Sequence, residues 1–233
     1  MTTTPIDREF AEKFMKSVDE PFKYGVYWLF HEWWDEAPDP AIDAYRAELG
    51  LIEGSDSFLA ERFLPEPTTL DRLAECPPES LGAYFRQFVV ENNLEADLAR
   101  NYREYNEELT QSGKLDRLPD DLSYMMLRGF QIHDILHVLT GYTSRPMGEL
   151  GLAAFYLAQL RFPYHAMRMA VTAAHVAFVS PAGITKAMDA IAEGWLYGRR
   201  TPNLSFHRWE DELDAPLHEL RERFGIETEA MAV

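Results

Sequence analysis

The segment 122–142, LSYMMLRGFQIHDILHVLTGY, carries only two residues of full charge, Arg128 and Asp134. Pro119, Asp120 and Asp121 stand just before it. Proline fits the first turn of a helix, and acids there face the positive end of the helix dipole. Gly141 opens the Gly-, Ser- and Pro-containing stretch that follows, which reads as a loop. A helix that is apolar on every side is buried in the middle of a protein. Outward from this segment the helical spacing continues. Apolar helices are expected at 147–162, 164–179 and 181–197, and an amphipathic one at 210–224, stopped by Gly225. Toward the N-terminus, Phe10, Phe14 and Val18 recur every fourth residue. Asp39–Pro40 opens a helix that ends at Gly50, and Thr68–Thr69 and Pro78–Ser80 open two more. The segment 95–109 is charged and should be largely solvated, and the proline-rich 65–78 reads as a surface connection. Strand alternation is almost absent. The chain is therefore expected to be all-α: a single-domain multi-helix bundle with buried central helices over 1–233, with looser helices at 1–117 and a core at 118–226.

Composition narrows the function. The 233 residues hold 22 Lys and Arg against 39 Asp and Glu, a formal net charge of −17. That argues against nucleic acid, whose phosphates need a basic face, and against electrostatic docking on an anionic membrane. A hydrophobic fraction of 46% with 13% aromatics supports a packed core and excludes disorder as the main state. The longest stretch without Asp, Glu, Lys or Arg near the apolar centre, 169–185, is 17 residues long and is broken by Pro181 and Gly183. A spanning helix needs about 20 apolar residues, so none is expected. The lone Cys76 forms no intrachain disulfide, which suits a reducing compartment, and with no base at hand it should be inert. The start, MTTTPIDREF, reads as neither signal nor transit leader, so a cytoplasmic protein is expected.

The chemistry sits in the central segment. His133 and His137 are one turn apart, about 40° around a helix, together with Met126, Phe130 and Thr140. Two imidazoles at that spacing can bind one metal ion with both rings. Asp134 can reach the edge of such a site as a ligand, or orient a ring from behind. Glu149 follows His137 by 12 residues, across a Gly-, Ser- and Pro-containing loop that lets the next helix double back. Two histidines plus one or two carboxylates suit Zn²⁺ or Fe²⁺. The competing reading is a pair of buried core histidines with Asp134 as a local partner. That is costly for two rings in an apolar helix unless they are paired or ligated. A zincin protease would need Glu where Asp134 stands, and a di-iron bundle would need paired Glu-x-x-His. A phosphohydrolase built on a His-Asp pair would need further ligands, for which His31 is unmarked.

His133–Asp134–x–x–His137, eleven residues and then Glu149 resembles the metal motif of the coenzyme Q biosynthesis protein 4 family. The flanks LHVLTGY (136–142) and GEL (148–150) agree, as do IAEGWLYGR (191–199), Trp209–Glu210 and RFGI (223–226). The resemblance spans 118–226 clearly and the first hundred residues more loosely. It implies an all-helical protein of ubiquinone biosynthesis. It also implies His133, Asp134, His137 and Glu149 as the ligands of a divalent metal, zinc or iron. The implied reaction is oxidative decarboxylation of a polyprenylated hydroxybenzoate-type precursor, its C1 carboxylate replaced by hydroxyl. The alternative is a non-enzymatic isoprenoid-binding scaffold that organises other quinone-biosynthesis proteins around a structural metal. A position at the periphery of the inner membrane and a homodimer are both compatible with it. The helices at 151–162 and 164–179 could wall an apolar groove for an isoprenoid or polyprenyl-aromatic lipid, or simply pack the core. Arg145, in the motif loop, could hold an anionic head group or be a plain surface arginine. His165 and His175, each alone in an apolar helix, are read as structural. His207 should pack the terminal segment beside Trp209, and Trp28, Trp33 and Trp34 should form an aromatic cluster.

Overall fold

Among the described residues the backbone places its hydrogen bonds in helices, and the sole strand-like contact is an isolated bridge between Ser80 and Pro216. The structure, a computed structural model, describes residues 7–228 apart from 22, 25, 27, 28, 31, 32, 35, 36, 99–101, 114 and 115. Trp28 and His31 therefore lie outside the described residues. The all-α expectation holds.

Some helices begin where a short polar side chain serves the first free N–H groups, and the core helices begin without one. The Asp7 carboxylate accepts from the Glu9 and Phe10 N–H groups at the head of α1 (Arg8–Asp19). Then come α2 (Asp39–Gly50), α3 (Ser55–Glu61) and α4 (Leu70–Ala74), the last capped by the Thr69 hydroxyl. The Ser80 hydroxyl caps α5 (Leu81–Asn92), and α6 (Glu95–Leu98) and α7 (Tyr102–Gln111) follow. The core helices are α8 (Asp120–Thr140), α9 (Pro146–Leu160), α10 (Pro163–Val179) and α11 (Ile184–Arg200). A 3₁₀ turn at Pro181–Gly183 joins the last two, and another at Trp209–Glu212 precedes α12 (Leu217–Arg223). The amphipathic segment expected at 210–224 is thus broken. Pro216 lacks an N–H and disfavours helix in the residue before it, so α12 starts only after it. Gly50 stays inside α2 rather than taking a left-handed cap, whereas Gly225 has φ +60 and ends α12 as expected. The 65–78 connection is less superficial than its prolines suggest, because Leu73 and Cys76 enter the core. Burial pushes the Cys76 thiol pKa up.

One hydrophobic cluster reaches from Phe30 to Ile226. α8 lies at its centre and buries residues on every side. α5 and α7 pack on α8, α1 packs on α10, and His175 Nδ1 meets the Val18 carbonyl 2.8 Å away across that joint. Trp33 and Trp34 stack edge to face with Phe30 and Tyr45 nearby, and His207 lies between Trp209 and Phe224. Arg128, 1% exposed, extends both terminal nitrogens to the Glu210 carboxylate and donates to the His207 carbonyl at 2.8 Å. This clamp ties α8 to the C-terminal segment.

The closest helix pair is α9 with α11. Gly194 lies on the backbone of Gly151, and a Cβ at Gly198 would stand 2.5 Å from the Phe155 carbonyl oxygen. No side chain fits where backbone meets backbone. Gly194→Ala is therefore expected to destabilise the protein by about 1–3 kcal/mol, as overpacking of a tight interface does. Gly50→Ala, with open space around it, should be near neutral. Urea unfolding of the two variants checks the contrast.

Candidate metal centre

α8 presents His133 and His137 on one face, and the turn that follows brings α9 back over them. Gly141 makes that turn with φ 85, its N–H bonding the His137 carbonyl at 2.8 Å. Arg221 donates to the Val138 and Leu139 carbonyls, which have no further helix to bond. The Tyr142 carbonyl then returns to within 2.9 Å of His137 Nδ1. Pro146 opens α9, and Gly148 sits so close to the Thr143 backbone that no Cβ would fit. Glu149, in the first turn of α9, faces the two rings with its charge at the favourable helix end.

His137 Nε2 lies 3.0 Å from Glu149 Oε1, and His133 Nε2 lies 3.6 Å from Glu149 Oε2. The three side chains offer ligand atoms all within 4.8 Å of one another. The chemistry of this donor set is legible in its protons. A carbonyl can only accept, so the Tyr142 contact places a proton on His137 Nδ1 and turns Nε2 toward Glu149. That buried nitrogen has no hydrogen-bond partner and confronts a carboxylate oxygen, another acceptor. A proton or a cation between the two turns the contact from repulsive to favourable. His133 is oriented alike, with Nδ1 3.0 Å from Asp134 Oδ1 and Nε2 toward Glu149. Burial opposes the charge on His133, but the Asp134 and Glu149 carboxylates outweigh it and push its pKa up to about 9. Burial likewise opposes the charge on Glu149, yet His133 and His137 hold its carboxyl well below the usual carboxylate range. A divalent cation would displace the His133 proton and take its place in this charge balance. The residues fit such an ion.

The structure brings together three of the four expected ligand residues. Asp134 stands behind His133, on the Nδ1 side of the ring, while the cluster forms on the Nε2 side. Arg145 does not approach the site. It is exposed at the N-cap of α9, where its carbonyl accepts from the Glu149 N–H. The arginine that reaches the site is Arg168 of α10, whose Nη2 donates to Glu149 Oε2 at 2.7 Å. Its signal in the sequence is that it is the only Arg, Lys, Asp or Glu of α10.

A cavity of about 410 Å³ opens beside His133 and Glu149. Met126 and Phe130 of α8, Leu160 of α9 and Tyr164 of α10 give it apolar walls. The expected groove between 151–162 and 164–179 is thus a chamber that α8 also lines. His165 faces this cavity, where the sequence reading gave it a structural role. Its ring lies flat on Tyr156, 4.7 Å between centroids and 4° between planes, and burial pushes its pKa down to about 3.

A family model described as coenzyme Q (ubiquinone) biosynthesis protein Coq4 matches residues 40–230. The chain belongs to the Coq4 family. The match reaches well in front of the 118–226 stretch on which the resemblance rests most clearly. Among curated Coq4 relatives, the Danio rerio ubiquinone biosynthesis protein COQ4 homolog, mitochondrial, is 29% identical over 175 residues, 72% of this chain and 59% of that protein. The Homo sapiens COQ4 homolog is 29% identical over 188 residues, 76% of this chain and 62% of that one. The chain spans about half to three fifths of the length of the curated relatives it matches. A crystal structure of a Nostoc punctiforme protein, described as a candidate ubiquinone biosynthesis protein, superposes with a TM-score of 0.70 at 25% identity, covering 93% of this chain and 94% of that one. The curated Coq4 relatives are named mitochondrial, and this overturns the cytoplasmic expectation. A leader is judged from the first residues alone, and those say little about a compartment that relatives share. Among the described residues no helix is long and apolar enough to cross a membrane.

Proposed function

We propose that His133, His137 and Glu149 hold a divalent cation, zinc or iron, with Asp134 orienting His133. In this reading the centre acts in ubiquinone biosynthesis on a polyprenylated hydroxybenzoate-type ring, whose C1 carboxylate gives way to hydroxyl. The observation that carries it is the buried His137 Nε2, held 3.0 Å from Glu149 Oε1 while its Nδ1 meets the Tyr142 carbonyl. Family membership supplies the pathway, and the apolar chamber beside the cluster suits an aromatic ring with the start of an isoprenoid tail. The chemistry a divalent cation supplies at such a site is Lewis-acid polarisation of a bound carboxylate or phenolate. The side chains around it do the rest. The Tyr142 carbonyl and Asp134 fix both imidazoles with Nε2 inward, and Met126, Phe130 and Tyr164 keep water from the ring. Other quinone-biosynthesis proteins are the partners this reading implies.

Glu149→Gln tests the reading, because the amide keeps the shape and removes the charge. The variant is expected to fold, to leave a ubiquinone-deficient strain unrestored, and to let a carboxylated prenyl-aromatic accumulate where the wild type clears it. Full restoration by a variant that has lost its metal would favour the scaffold role instead.

A further inference from the structure

The chain carries 17 more acidic than basic residues, and Asp97, Asp134 and Glu149 line the cavity. An anion enters such a place only toward a specific cation. Arg168 is the only Arg or Lys among the described residues that line it. One of its N–H groups is engaged on Glu149, and Tyr164 lines the same cavity. A guanidinium has five N–H groups in a planar fork, so donors remain for a second carboxylate, held bidentately. The wall beside it is made of flat rings. His165, one turn before Arg168, lies on Tyr156, and Tyr156 is parallel to His133 at 6.4 Å. Rings of this kind suit the face of an aromatic ligand. The charges are linked as well. Without a cation, Glu149 is the carboxylate that Arg168 and the two imidazoles share. Once Glu149 serves a cation, the charge on Arg168 is left for another anion.

We propose that Arg168 is the residue that recognises the carboxylate of an aromatic acid in the cavity, and that a divalent cation on Glu149 and the aromatic acid bind cooperatively. The inference rests on the metal reading above and adds the anion-selecting residue and the coupling. Coupling between two ligands is reciprocal, so each must tighten the other by the same factor.

Calorimetric titration of 4-hydroxybenzoate, with 4-hydroxybenzamide as the neutral isostere, tests it on the full chain with and without Zn²⁺. The zinc-loaded wild type is expected to bind the acid about tenfold or more tightly than the zinc-free protein does, with no such gain for the amide. Arg168→Met is expected to lose about tenfold or more of the acid's affinity and none of the amide's, while still binding zinc at least as well as the wild type. Arg168→Lys should recover part of the loss, since a lysine keeps the charge without the fork. Arg168 is partly exposed, and thermal melts of both variants establish that they fold. If Arg168→Met loses zinc together with the acid, the residue merely holds Glu149 and the inference is overturned. It is overturned too if zinc-loaded wild type binds acid and amide alike. A wild type that takes no zinc sinks the metal reading and the coupling. The zinc-free titrations then decide the part played by Arg168: a preference for acid over amide that Arg168→Met erases upholds it, and no preference refutes it.

Discussion

His137→Ala is expected to abolish binding of one zinc per chain, with affinity falling at least about 100-fold, since even residues that only orient a ligand cost 10–100-fold. Three features make this ring the sensitive one. It is 1% exposed, its Nδ1 is fixed by the Tyr142 carbonyl, and its Nε2 lies nearer to Glu149 than that of His133 does. Alanine also removes a ring stacked 5.2 Å from Phe88, so some stability goes with it. His137→Phe separates the effects, because it refills the space and offers no lone pair. Both variants should fold cooperatively and both should fail to retain zinc after dialysis, read by elemental analysis and by competition with a chromophoric chelator. Equimolar zinc at wild-type affinity in either variant, or refusal of added metal by the wild type, contradicts the assignment.

Glu210→Ala is expected to lower the unfolding free energy by about 3–5 kcal/mol, the cost of leaving a buried charge without its counter-ion. Arg128 is buried at the centre of α8, and Glu210 accepts from both of its terminal nitrogens. Its third bond, to the His207 carbonyl, cannot balance the charge. The signature is non-additivity. Arg128→Met in the Glu210→Ala background should recover much of the loss, because the buried charge is then gone. Urea unfolding of the two single variants and the double variant gives the cycle. A Glu210→Ala loss under 1 kcal/mol shows that the pair is not the clamp the structure describes.

Each of these pairs crosses a different sequence distance, and that distance explains what could be read in advance. The His133–His137 spacing, the doubling back of Glu149 and the apolar course of α8 are consequences of helix geometry within some thirty residues. Thr69 and Ser80 cap because their hydroxyls compete locally for backbone N–H groups. Arg168 meets Glu149 across 19 residues, and Arg128 meets Glu210 across 82. Nothing in the spacing of either arginine names its partner. Arg145 drew attention because it lies near the motif in sequence, and the fold turns it outward. His165 looked solitary because a ring in an apolar helix carries no mark of which neighbour it will lie against.

By itself, then, the sequence determined the helical class, the positions of the core helices and the His133, His137 and Glu149 side chains that converge into one cluster, because caps, periodicity and the i, i+4 spacing are local properties of the backbone. Only the tertiary structure decided that Asp134 stands behind His133, that Pro216 splits the terminal segment against the Ser80 bridge, that α9 and α11 touch through glycines, and that Arg168 rather than Arg145 bonds Glu149. Those outcomes depend on which helix faces meet. Such faces are selected by burial and charge neutralisation summed over the whole core, which no short window of sequence contains.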